Sequence, residues 1–137
     1  MRYAESLDEF DGLDVSHVRG FFDGWPFPPS EETFLRILRG SAHVVLAVDE
    51  ESGEVVGFIT AISDGVLSAF IPLLEVRRDR RGTGIGSELV RRMLAKLDDL
   101  YMVDLTCDAG VQPFYERLGM QRFTAMVRRN YERASKG

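Results

Sequence analysis

The stretch RRGTGIGSELV, Arg80 to Val90, constrains this chain more than any other part of it. Gly82, Gly84 and Gly86 alternate there between an apolar run and a segment in which Ile85, Leu89, Met93 and Leu97 recur every four residues. That recurrence, with Val90 and Leu94 beside it, is the stripe of a helix packed on a sheet. Glycines at such a junction allow a ligand to approach the backbone closely. The free N–H groups of a helix's first turn, aided by its dipole, suit phosphate oxygens, so the segment fits a pyrophosphate. The spacing is not the G-x-G-x-x-G of dinucleotide folds, and no Lys-Ser/Thr pair follows as in a P-loop. A Gly-rich turn also serves as a plain helix entry, and that reading stays open here.

Around this junction the pattern alternates between strand and helix. AHVVLAV and VVGFITAI, separated by the polar DEESGE, read as a hairpin. Asp64-Gly65 suits a tight turn into a third antiparallel strand, VLSAFIPLLEV, Val66 to Val76. Pro72 cannot donate to a ladder, so it marks a bulge, an edge or a point where two strands separate. YMVDLT, Tyr101 to Thr106, follows the helix, and a right-handed crossover makes it parallel to the strand ending at Val76. A last helix around Gln112 to Leu118 ends at Gly119, and MQRFTAMV reads as a final strand. Upstream, LDVSHVRGFF has a weak helical pattern, GWPFPP is a rigid loop, and Ser30 caps a helix presenting Phe34, Leu35 and Leu38. The expected class is α/β, a mixed central sheet with an antiparallel N-terminal half joined to a parallel pair.

At 137 residues, 45% of them hydrophobic, one domain spanning 1–137 is expected. The chain has no membrane-length apolar run and no basic start followed by one, which points to a cytoplasmic protein without membrane partners. A net charge of -5 argues against nucleic acid. Locally, four of the five residues from Arg77 to Arg81 are arginines, a positive spot for a small polyanion. A single Cys107 and two distant histidines, His17 and His43, leave no expected metal site.

Two motifs together carry a resemblance. Arg81, Gly84 and Gly86 fit the pattern Arg or Gln, two residues, Gly, one residue, Gly or Ala. PFYERLGM, Pro113 to Met120, places a Tyr shortly before a Leu-Gly ending, with Met120 where an aromatic is common. On these residues the chain resembles the GNAT superfamily, the GCN5-related N-acetyltransferases, over nearly its whole length. Many members have Asn seven residues before the tyrosine, where this chain has Asp108.

The resemblance implies a GNAT fold with about four helices, in which the parallel strands splay around a cleft for acetyl-CoA. The backbone of Leu74, Glu75 and Val76 would pair with the pantetheine arm. Amides of Gly82, Thr83, Gly84, Ile85, Gly86 and Ser87 would hold the pyrophosphate with Arg81, and Asp108, Phe114 and Tyr115 would complete the cofactor site. The implied oxyanion donor is the Val76 N–H, and Tyr115 is the general acid, expected to release its proton to the leaving thiolate favourably. The family has no single fixed base. Glu75 interrupts an apolar run beside the thioester, where burial could raise its pKa, although on an alternating strand it could instead point outward. His43 and Asp64 rank below it, and Cys107 is expected to be a buried strand-end residue.

The acceptor side of this superfamily is built largely from the first helices and their loop, here including Asp23, Trp25 and Phe27. An aromatic wall with a carboxylate suits a cation with an apolar body, unless Trp25 and Phe27 simply cover the core. The Gly-Trp-Pro loop and the Ser-Asp after the third strand also resemble small bacterial and plant serotonin or arylalkylamine N-acetyltransferase-like members. The expected function is acetyl transfer to a small aryl- or alkylamine. Acetylation of a protein lysine or N-terminus, and a non-catalytic acyl-CoA-binding module, are the alternatives. Exposed final strands often pair in homodimers, a further expectation.

Overall fold

The computed structural model describes residues 1–137. Five strands form one sheet in sequential order, β1 (Arg2–Ala4), β2 (His43–Val48), β3 (Val55–Ser63), β4 (Ser68–Val76) and β5 (Met102–Asp104). The first four are antiparallel to their neighbours, and β4 and β5 run parallel. Helix α1 (Glu31–Gly40) lies on one face, and α2 (Ile85–Lys96) is the crossover on the other. The short α3 (Gln112–Glu116) and several 3-10 turns complete the helical structure. This is the mixed α/β architecture expected, with an antiparallel half joined to one parallel pair.

The two faces have different cores. On the α1 face, Val44, Leu46, Val48, Val55 and Phe58 pack against Phe34, Leu35 and Leu38, and the N-terminal segment adds Phe10, Val18 and Phe22. On the α2 face, Val45, Ala47, Val56, Ile59 and Ile71 pack against Ile85, Leu89, Val90 and Met93. The helix comes so close that a Cβ on Gly57 would lie 3.0 Å from Ile85 Cγ2 and 3.1 Å from Leu89 Cδ1.

Pro72 lies where two of the expected features coincide. Residue pairing with β3 jumps from Phe70–Ile62 to Leu73–Thr60, so Ile71 and Pro72 together oppose Ala61 as a bulge. Pairing with β5 stops at Phe70–Asp104, and the two strands part beyond that point.

Two expectations are corrected and one element is added. Leu13 to Phe22 contains only a 3-10 turn, Val15–His17, because Gly20 (φ 87°) and Phe22 (φ 62°) are left-handed and break any helical stripe. MQRFTAMV forms no strand: residues 120–130 carry no regular structure and join no sheet. β1, at three residues, is too short to show a period and was not anticipated.

Candidate active site

The cleft opens where β4 and β5 separate. Arg77 N–H donates to Val56 O at 2.8 Å, so in an antiparallel ladder Arg77, Glu75 and Leu73 turn their backbone groups toward β3. Leu74 and Val76 therefore turn theirs toward the edge that β5 has left. The Val76 carbonyl accepts from Arg81 Nε at 3.0 Å, which leaves the Val76 N–H facing the cleft.

At the mouth of this cleft the chain turns into α2. Gly82 (φ 79°) and Gly84 (φ 88°) are left-handed, the latter as the helix N-cap, and Thr83 Oγ1 ties the turn down by donating to Arg80 O at 2.7 Å. The first amide bonded into the helix is Glu88, to Gly84 O. All six N–H groups from Gly82 to Ser87 lack an acceptor in the protein. Successive unpaired amides at a helix N-terminus form a cradle for an anion the size of a pyrophosphate. The Ile85 side chain is buried in the core, so only its amide is available there.

The floor of the cleft brings the second motif to the first. A Cβ on Gly86 would lie 3.7 Å from both Val76 Cγ2 and Phe114 Cζ, so Phe114 closes against the start of α2. Tyr115 stacks edge-on to Phe114 at 4.9 Å and packs with the α2-face core.

A family model described as Acetyltransferase (GNAT) family matches residues 10–120, from the loops before α1 through both motifs. The chain belongs to the GNAT acetyltransferase family. It is 31% identical over 113 residues to the chloroplastic serotonin N-acetyltransferase 2 of Oryza sativa subsp. japonica, covering 79% of this chain. The alignment takes in 56% of that relative, so the chain spans little more than half the length of the curated protein it matches. Among solved structures, a candidate acetyltransferase from Deinococcus radiodurans R1 is 50% identical with a TM-score of 0.91, covering 98% of this chain and 91% of that one. A GNAT-family acetyltransferase from Streptococcus pneumoniae TIGR4 is 28% identical with a TM-score of 0.63, over 74% of this chain and 81% of that one.

Within this GNAT chain the ionisable groups near the cleft divide sharply. Burial pushes the Tyr115 phenol up to about 12, and the neighbouring Cys107 adds to the rise. Its hydroxyl makes no hydrogen bond within the protein. The expectation of favourable proton release to a thiolate reverses in sign: a phenol is a weaker acid than a thiol, by about 2 kcal/mol at reference acidities, and burial widens the gap.

Glu75 does not point outward into solvent. It pairs in register with Phe58 on the α1 face, and its carboxylate accepts the Phe22 N–H at 2.7 Å. Burial raises its pKa; the Phe22 N–H and Arg81 oppose the rise, and Asp23 adds to it. The bonded Phe22 is the one non-glycine residue with a left-handed backbone, a conformation the surroundings must hold in place. Glu75 thus anchors the loop that carries Asp23 and Trp25.

The other candidates lie elsewhere. Asp64 is a turn residue: its carboxylate accepts from the amides of Val66, Leu67 and Ser68, and these bonds lower its pKa. His43 pairs with Ala61 at the start of β2, two strands away from β4 and its cleft edge. Cys107 is exposed, not buried, because β5 ends before it. Asp108 caps a 3-10 turn through its carbonyl, which accepts from Val111 N at 2.9 Å.

The arginine cluster is less free than its sequence suggests. Arg77 bonds both oxygens of Asp79 and nears Glu54, Arg80 pairs with Asp49, and Arg78 meets Asp23 at 2.5 Å. Asp79 lies within the cluster, but Asp23, Asp49 and Glu54 could not be assigned to it from spacing alone. Asp23 is accordingly a partnered carboxylate. Trp25 stacks edge-on to Phe22 at 5.0 Å and remains 43% exposed. Phe27 is equally exposed and lines a cavity of about 580 Å³ with residues 128–132. A second cavity, about 330 Å³, lies among Phe21, Phe22, Pro28 and Phe34. No helix is long and apolar enough to cross a membrane.

Proposed function

We propose that residues 1–137 act as one domain that transfers an acetyl group from acetyl-CoA to a primary amine, a small aryl- or alkylamine. The observation carrying this reading is the row of six unpaired amides from Gly82 to Ser87 at the mouth of a cleft whose edge presents the free Val76 N–H. The cradle suits the pyrophosphate of acetyl-CoA, whose thioester supplies an activated carbonyl. The pantetheine arm, rich in amides, pairs with the unsatisfied backbone of Leu74 and Val76.

Direct transfer follows from this arrangement. A neutral amine attacks the thioester carbon, the Val76 N–H donates to the developing oxyanion, and the C–S bond breaks as the carbonyl re-forms. The amine loses one proton and the thiolate gains one, so the count closes without an outside acid. Because the Tyr115 phenol is the weaker acid, it acts as a hydrogen-bond donor and relay to the sulfur, its proton replaced by the one the amine surrenders. Before the attack Glu75, lifted above the ordinary carboxylate range, takes the proton that an incoming ammonium must lose, directly or through water, and passes it to solvent.

The acceptor enters from the α1 face. Phe21, Phe22, Phe34 and Trp25 supply an apolar wall, Glu75 supplies negative charge beside the Arg78-paired Asp23, and this combination favours a cation with an aromatic or alkyl body. The serotonin acetyltransferase named among the relatives handles such a compound, which supports the same class here.

A thiol-release assay tests the reading. Acetyl-CoA is offered with arylalkylamines, alkylamines, polyamines and lysine peptides, using the wild type and Tyr115→Phe. Turnover confined to small amines and strongly reduced in the variant is the expected result. Turnover on peptides alone would move the assignment to protein acetylation. Acetyl-CoA binding with no turnover on any amine would make this an acyl-CoA-binding module.

A further inference from the structure

The turn from β2 to β3 and the turn into α2 are tied together, although 31 residues separate Asp49 from Arg80. Asp49 organises the first of them. One of its carboxylate oxygens accepts from the amides of Glu51 at 2.8 Å and Ser52 at 3.3 Å, its N–H donates to Glu54 O, and its carbonyl accepts from the left-handed Gly53. Its other carboxylate oxygen accepts from Arg80. Only 16% of the Asp49 side chain and 31% of the Arg80 side chain is exposed, so salt screens this pair less than it would an open surface pair. The Arg80 guanidinium, helped by the Glu51 and Ser52 amides, holds the Asp49 carboxyl down at about 2, and the pair stays charged across the working pH range.

Arg80 closes the 3-10 turn Arg78–Arg80, and its carbonyl is the group to which Thr83 Oγ1 donates, between the left-handed Gly82 and Gly84. The side chain of Arg80 is therefore fixed to the sheet's far hairpin while its backbone fixes the glycine turn. Arg77 adds a second tie to that hairpin, approaching Glu54 at 3.7 Å. Glycines give the turn its shape but also freedom, and donors already held in place bind an anion more tightly than donors that must be ordered on binding. Of the four arginines only Arg81 bonds a carbonyl rather than a carboxylate. We propose that Asp49 is a positioning residue for acetyl-CoA: through Arg80 it fixes the turn whose amides receive the pyrophosphate, and Arg80 serves the cofactor through that pair rather than by touching phosphate. The inference rests on the reading of the cleft as an acetyl-CoA site.

The test measures CoA binding to the full chain by isothermal titration calorimetry. Asp49→Asn keeps an oxygen for the Glu51 and Ser52 amides and removes only the charge that Arg80 meets; Arg80→Gln removes the other partner. Each should raise the Kd for CoA about fivefold, and the double variant should bind no worse than either single one, as for two residues acting as a unit. In steady-state assays the KM for acetyl-CoA should rise in step while kcat and the acceptor KM hold. Acetylpantetheine, which has the thioester and the arm but no pyrophosphate, should serve wild type and variants equally. Were Arg80 a phosphate ligand, Asp49→Asn would free its guanidinium and tighten CoA binding while Arg80→Gln weakened it, and that opposition overturns the proposal. So does an equal loss with acetylpantetheine, which would mean general damage to the cleft. A wild-type chain that binds no CoA would sink the acetyl-CoA reading and this inference with it, whereas wild-type binding matched by both variants removes this inference alone.

Discussion

The two faces of the sheet are built from different materials. The α2 face is mainly aliphatic in its buried core, and most of that core comes from regular elements: strands and a helix of twelve residues entered through a turn with left-handed glycines. The α1 face is rich in aromatic rings, with Phe21, Phe22, Phe34 and Phe58 meeting edge-on or tilted at 4.6–6.1 Å, and Phe10, Val18, Phe21 and Phe22 reach it from the segment between β1 and α1, which has no α-helix or strand of its own. Regular elements present backbone groups in fixed directions, which is what a constant ligand such as acetyl-CoA requires. A loop pinned at a few points, by Glu75 to Phe22 and by Arg78 to Asp23, can be rebuilt around a different amine while the sheet stays as it is.

The comparison can be broken first at Tyr115. Tyr115→Phe should lower kcat by about 10²-fold with little change in KM for acetyl-CoA, as for loss of a positioned proton donor; an unchanged kcat in steady-state assays would remove it from the mechanism. With the phenol pushed up to about 12, the wild-type rate should show no alkaline fall from this residue between about pH 8 and 10.

Glu75→Gln should lower kcat by about tenfold and flatten the acidic limb of the pH–rate profile, which in the wild type lies above the ordinary carboxylate range. The stability sign runs the same way. A carboxyl whose pKa is raised on folding contributes stability below its unfolded value and loses it as pH rises through the folded value. Glu75→Gln should therefore melt with less dependence on pH in that window.

Gly84→Val forces a β-branched residue to φ near 88°, at about 1–2 kcal/mol. It should lower Tm and raise KM for acetyl-CoA several-fold while leaving acceptor preference alone. The smallest effect belongs to the other face: Trp25→Ala should raise the acceptor KM a few-fold and leave acetyl-CoA affinity unchanged. An effect of Trp25→Ala on acetyl-CoA binding would mean that the two faces are not separable.

Legibility followed the same divide. The hairpin through Val48 and Val55, the turn at Gly84 and the helix through Leu89 and Met93 were readable because their periods are local and long enough to repeat. The stretch around Phe22 was not, since its aromatic residues reach the core one at a time from left-handed or extended backbone. Partners distant in sequence were equally silent: nothing near Arg80 announces Asp49, and nothing near Glu75 announces the Phe22 amide. MQRFTAMV has strand chemistry, but a strand also needs a neighbour, which composition does not supply.

The bulge at Ile71 and Pro72 also acts as a change of phase. Before it, Ala69 and Ile71 face α2; after it, Leu74 and Val76 do, and Leu73 joins the core on the opposite side. Deleting one residue at this point would exchange the two chemical surfaces downstream, sending Glu75 to the α2 side and Val76 to the acceptor side. Substitutions can retune the pocket freely, but insertions and deletions in β4 cannot. Across relatives, the length of this strand should vary less than the identity of its side chains.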